Sequence, residues 1–152
     1  NESCKKTLDD LKVWKKLSKR NFHVTVSGAY GQSPYLAFDG DPKTMWNSGS
    51  FSGWLQVEFE VPRKVMAIKT RFNYVGLQCY EIKGSVDGQA WFDLVPSHVQ
   101  KCSSMTQNFV LATDVLKDVP ELKFIKTNLS YGQDLNGNKS WVGIAEQEFV
   151  TE

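Results

Sequence analysis

Asp39, Asp41 and Thr44 place three oxygen-bearing side chains within six residues, in the stretch Ala37-Phe38-Asp39-Gly40-Asp41-Pro42-Lys43-Thr44-Met45-Trp46. Gly40 and Pro42 impose a tight turn there, because glycine accepts positive φ and proline presets its own. Such a turn folds carboxylate, hydroxyl and carbonyl oxygens toward one point. That is what a hard cation such as Ca²⁺ needs, with about six to eight oxygen ligands. The same residues also make an ordinary Asx-stabilised turn, and both readings stand at this stage. An EF-hand loop is excluded, because no bidentate Glu follows at the required offset.

Other chemistry is sparse. The chain has no Gly-x-Ser-x-Gly, no His-Glu-x-x-His and no phosphate-cradling glycine loop. Its two histidines, His23 and His98, lack a partner at metal-ligand spacing. Cys79 has no neighbouring His to lower its thiol pKa. The expectation is a protein without catalytic residues. Eighteen Lys and Arg against seventeen Asp and Glu leave a net charge of +1, so no bulk field draws nucleic acid. No apolar run has the length of a membrane span. The chain opens at Asn1 without Met, as in a mature product or an excised domain.

The elements that must position the acidic turn are strands. The chain has 152 residues, 41% of them hydrophobic, enough for one well-filled core. Phe22, Val24 and Val26 alternate with polar residues, as in a half-buried strand. Further strands are expected over 54–61, 65–72, 80–85, 91–95, 107–111, 122–129 and 141–150, with Asp87-Gly88 as a hairpin turn. Short strands separated by turns argue for an antiparallel sandwich. Before them, Leu8, Leu11, Trp14 and Leu17 recur at helical spacing, with Thr7 and Asp10 as an N-cap pair, predicting a helix over 5–20. The division expected is a helical extension over 1–21 and a β-sandwich domain over 22–152. Cys4, Cys79 and Cys102 are an odd set, giving either one bridge with a spare thiol or three free thiols. Glycosylation triplets begin at Asn1, Asn128 and Asn138, and the balance leans toward a secreted or extracellular domain over an intracellular one.

Four motifs occur in a meaningful order: the early turn "AFDGDPKTMW", Gly53-Trp54-Leu55-Gln56-Val57-Glu58-Phe59, the hairpin from Tyr80 to Trp91, and the late strand "GIAEQEFV". Together they resemble the discoidin family (coagulation factor V/VIII type C domains) and the similar family-32 carbohydrate-binding modules, over roughly residues 22–152. The resemblance implies an eight-stranded antiparallel jelly-roll β-sandwich. It also implies a structural Ca²⁺ held by the carboxylates of Asp39 and Glu146, the hydroxyl and carbonyl of Thr44, and the carbonyls of Leu36, Asp41 and Ala145. The ion would join the early turn to the last strand.

Members of the family bind ligands with loops at one end of the sandwich. Here those loops carry Tyr30, Asn47, Phe51, Arg71, Asn73, Tyr74 and Tyr131. Aromatic faces stack on the C–H face of a sugar while amides and Arg read its hydroxyls, so a glycan or glycoprotein is the first expectation. Asn47 stands where galactose-binding relatives carry His. A protein partner or an anionic phospholipid, in cell adhesion, is the alternative. Loop tips made mostly of Gly, Ser, Asn and Gln argue against the membrane.

Overall fold

The structure, a computed structural model, describes residues 15–41, 43–72, 77–96, 102–104, 109–111 and 113–152. Alternation of side chains writes most of its strands. In β4 (Gly53–Arg63), Leu55, Val57 and Phe59 are buried while Gln56 and Glu58 lie partly open. The described residues hold ten more strands: β1 (Lys15–Lys16), β2 (Phe22–Val26), β3 (Trp46–Asn47), β5 (Val65–Phe72), β6 (Leu77–Ser85), β7 (Phe92–Asp93), β8 (Cys102–Ser104), β9 (Phe109–Leu111), β10 (Leu122–Gln133) and β11 (Gly143–Thr151). Eight of the strands have three or more residues, which agrees with the eight-stranded sandwich expected.

The strands form two antiparallel sheets. One runs β1-β11-β5-β9, with β3 also on β11; the other runs β2-β4-β10-β6-β7, with β8 also on β6. Phe22, Phe59 and Phe149 meet between them edge to face, with ring centroids 5.5–6.3 Å apart, and Phe72 stacks on Tyr80 at 4.6 Å. Aromatic pairs of this kind add about 0.5–1.5 kcal/mol each beyond the area they bury. Two buried amides join the sheets by polar contacts. Gln147 Nε2 of β11 donates to Thr70 Oγ1 and to Thr127 Oγ1 of the opposite sheet, at 3.1 and 3.0 Å. Gln78 Nε2 of β6 donates to the Gly143 carbonyl at 2.8 Å.

Several connections are closed by specific groups. Lys64, in the β4–β5 turn, donates its ammonium to the carbonyls of Leu116, Lys117 and Val119, capping the short helix Thr113–Leu116. Cys79 and Cys102 lie opposite each other on β6 and β8 and are disulfide-bonded. The single-bridge reading of the cysteines is the one realised, and Cys4 lies outside the described residues.

The N-terminal helix needs correction. Residues 5–14 lie outside the described part, but Lys15–Lys16 is strand and Lys19–Asn21 is a 3₁₀ turn. Lys15 and Lys16 pair with Thr151 and Val150, and the Leu17 amide donates to the Phe149 carbonyl at 2.9 Å. The free edge of β11 offers these hydrogen bonds, and of residues 15–20 Leu17 is the one that is buried; over these residues tertiary pairing overrides the local helical period. The outer edge of β11 is therefore shared. β3 pairs with its first two residues and β1 with its last two. The segment carrying the acidic turn packs between them.

Candidate cation cage and loop-end binding site

The acidic turn is anchored from the core outward. Ser33 caps a 3₁₀ turn over Pro34–Phe38. Ala37 is fully buried, and Phe38 packs on Phe22 with centroids 4.8 Å apart. Tyr35 accepts a bond from the Val24 amide through its hydroxyl at 3.2 Å, satisfying a donor on edge strand β2. Asp39 follows directly, so its carboxylate starts from a fixed base. Gly40 then takes φ +74°, a left-handed conformation that costs glycine nothing, and its amide reaches the Glu146 carboxylate at 2.8 Å across 106 residues of sequence.

Oxygens crowd the interior of this turn. Asp39 Oδ1 accepts from the Asp41 amide and Asp41 Oδ1 from the Lys43 amide, both at 2.9 Å. The Thr44 hydroxyl lies against Asp39 Oδ2, 3.2 Å from the Asp41 carbonyl and 3.5 Å from the Leu36 carbonyl. One hydroxyl proton cannot serve three acceptors at once. Ala145 is the extra residue of a β-bulge, between the pairs Ile144↔Phe72 and Glu146↔Arg71. The bulge turns Glu146 outward toward Asp39.

The two carboxylates share a hydrogen bond, and their acidities split accordingly. Burial, the bond to Asp39 and the charges of Asp39 and Glu148 push Glu146 up to about 8, against the opposing Gly40 amide. Burial alone would raise Asp39 as well, but bonds from Thr44, the Asp41 amide and Glu146 outweigh it and hold Asp39 below its usual value. Glu146 thus holds its proton to a higher pH than an ordinary carboxylate does. Among the described residues no group of three or more His, Cys, Asp or Glu side chains forms a metal cluster. The cage instead combines two carboxylates with hydroxyl and carbonyl oxygens, a donor set that suits Ca²⁺ over zinc.

The loop end lies beside the cage. There β3 pairs with the start of β11, and the approach is tight: a Cβ on Gly143 would fall 2.3 Å from the Trp46 carbonyl. Ser48 and Val142 bind each other's loops through amide bonds of 3.0 and 2.9 Å. The Tyr30 amide donates to the Asn47 carbonyl at 2.9 Å. On this frame Tyr30 meets Trp141, with ring centroids 4.8 Å apart. A pocket is lined by Asn47, Phe51, Lys139, Ser140 and Trp141. Tyr30 is 62% exposed and Phe51 51%, so neither serves as core.

The structure places the seven expected ligand residues unequally. Tyr30, Asn47 and Phe51 come together. Arg71 does not join them: it lies opposite Glu146 in a charged groove with Lys69 and Glu148. Tyr131 stands across from Cys79 on β10, accepting a bond from Gln133, and does not line the pocket. Asn73 and Tyr74 lie outside the described residues. Lys139, Ser140 and Trp141 were not anticipated. Trp141 reads as the first residue of the last strand, yet β11 begins at Gly143 and leaves Trp141 at the rim. The signal available was the run Asn136-Gly137-Asn138 before it, which marks a loop tip.

Comparison with known proteins bears on both features. No curated protein sequence matches the chain. Among solved structures, a pectin-binding carbohydrate-binding module is similar with a TM-score of 0.67 and 22% identity, covering 90% of this chain and 91% of that one. The family 32 carbohydrate-binding module of Clostridium perfringens NanJ, in complex with galactose, gives 0.65 and 20%, covering 92% and 100%. A family 89 glycoside hydrolase from Clostridium perfringens gives 0.65 and 22%, but the match spans only 14% of that enzyme. At these identities the likeness establishes the fold. Residues 21–146 match the F5/8 type C domain family, and the chain belongs to that family.

Proposed function

We propose that this domain is a non-catalytic module that binds a glycan at the loop end described above, with a Ca²⁺ ion in the cage of Asp39, Asp41, Thr44 and Glu146 as a structural staple. The observation that carries the reading is the convergence of Tyr30, Phe51 and Trp141 beside the polar side chains of Asn47, Lys139 and Ser140. Aromatic rings give a sugar an apolar platform, and the neighbouring donors orient it. The pectin and galactose named for the similar modules support the same class of ligand. Leu36 and Ala145 would complete the cage with carbonyls, and the ion would offset the repulsion that now requires a proton on Glu146. A Cys79–Cys102 disulfide supports an extracellular setting.

A glycan array probed with the wild type and with Trp141→Ala tests the binding reading. Binding to at least one glycan, weakened about tenfold or more by the substitution, is the expected result. No glycan bound at millimolar strength would refute it. One observation favours a second reading: Leu135, at the tip of a turn on the same end, is 82% exposed. An apolar tip beside Lys139 suits insertion into an anionic membrane. Sedimentation with phosphatidylserine vesicles decides between the two.

A further inference from the structure

We propose that the loop-end pocket selects an anionic sugar, one carrying a carboxylate or a sulfate, and that Lys139 reads its charge; the inference rests on the glycan reading above. The residues lining the pocket carry three polar side chains, the Lys139 ammonium, the Asn47 amide and the Ser140 hydroxyl. Asn47 Oδ1 is occupied by the Gly49 amide at 2.9 Å. A backbone N–H requires an acceptor, so this bond fixes the oxygen inward and leaves the Asn47 amide hydrogens as donors. No carboxylate lines the pocket among the described residues. Asp134, on the same loop, has its Oδ1 engaged by the amides of Asn136 and Asn138.

These side chains therefore offer mainly donors, with the Ser140 hydroxyl able to accept as well. A neutral sugar hydroxyl brings its own proton and needs both. A carboxylate or sulfate oxygen only accepts, and matches a donor-lined site. Lys139 is also held in place without being neutralised. It makes no ion pair among the described residues, and its ammonium lies 5.9 Å from the centre of the Phe51 ring, a cation–π contact that orients a charge but does not cancel it. Lys139 and Trp141 are two residues apart, both exposed on either side of less exposed Ser140, so a sugar stacked on the indole has the ammonium at its rim.

Titration calorimetry tests this with polygalacturonate against its fully methyl-esterified form, and with a sulfated galactan against the same chain desulfated. The wild type is expected to bind one or both charged chains about tenfold or more tightly than the uncharged counterpart; which of the two shows the larger ratio identifies carboxylate or sulfate. Lys139→Met should bind charged and uncharged chains alike, while Lys83→Met, on the outer face of the other sheet, should keep the preference. Equal binding of charged and uncharged chains by the wild type, or a preference that survives Lys139→Met, overturns the charge assignment while leaving the glycan reading intact. Binding to phosphatidylserine vesicles with no binding to any sugar overturns both.

Discussion

Calcium binding should strengthen steeply with pH up to about pH 8 and then level off. Without metal, Glu146 is pushed up to about 8 by burial and by its contact with Asp39. Ca²⁺ needs that carboxylate ionised, so each ion bound well below pH 8 displaces close to one proton. The ionised fraction climbs from about one in a hundred at pH 6 to about one half at pH 8, which corresponds to about 50-fold in affinity. Glu146 is only partly buried, and screening by water reduces the gain to about tenfold. The stability of the metal-free protein runs the other way. The folded state holds this proton more tightly than the unfolded chain, where the ordinary value is 4.5. The stabilising contribution is therefore complete below that value and is lost as pH rises through about 8. Calorimetry at several pH values, in two buffers of different ionisation enthalpy, counts the protons released. Thermal unfolding with and without a chelator reads the second trend. Glu146→Gln should weaken binding and flatten the pH profile. No calcium heat at millimolar concentration, or an affinity indifferent to pH, would refute the reasoning.

Two further outcomes concern the scaffold. Lys64→Met should cost about 2 kcal/mol in urea unfolding, because three carbonyls at the end of the Thr113–Leu116 helix lose a charged donor; a change below a few tenths would show that water replaces the ammonium freely. Cys102→Ser removes a cross-link between residues 23 apart, and chain entropy puts the loss at about 3.5 kcal/mol, measured as a lowered urea midpoint in non-reducing buffer. An unchanged midpoint would mean that the bridge does not form.

The sheet was largely legible because its strands are half-buried. Leu55, Val57 and Phe59 in β4, or Tyr80 and Ile82 in β6, alternate cleanly with polar neighbours, and a period of two needs no tertiary knowledge. The acidic turn was legible for a similar reason: Asp39, Gly40 and Asp41 dictate a local geometry. Pairing that depends on an edge was not. Leu8, Leu11, Trp14 and Leu17 fit a helical stripe, yet Lys15 and Lys16 follow the free groups of β11, and no local pattern announces where those groups lie. β3 is two residues long, too short to show a period. The pocket was half legible. Tyr30 and Phe51 sit in segments plainly read as loops, whereas Trp141 is continuous with an apolar run and its place outside the sheet depends on Gly143 meeting Trp46. Polar ties inside the core, such as Gln147 with Thr70 and Thr127, look from the sequence like surface residues on the wrong phase.

The divided outer edge of β11 has a consequence for self-association. β3 and β1 shield its two ends, and among the described residues the segment that carries the acidic turn packs over the middle, tied to it where the Gly40 amide donates to Glu146. Should that turn lift away, the strand between would present bare amides and carbonyls able to template a second copy, the usual first step toward fibrils. A bound ion, or the proton that takes its place, would then act as a latch against aggregation, guarding solubility as much as fold.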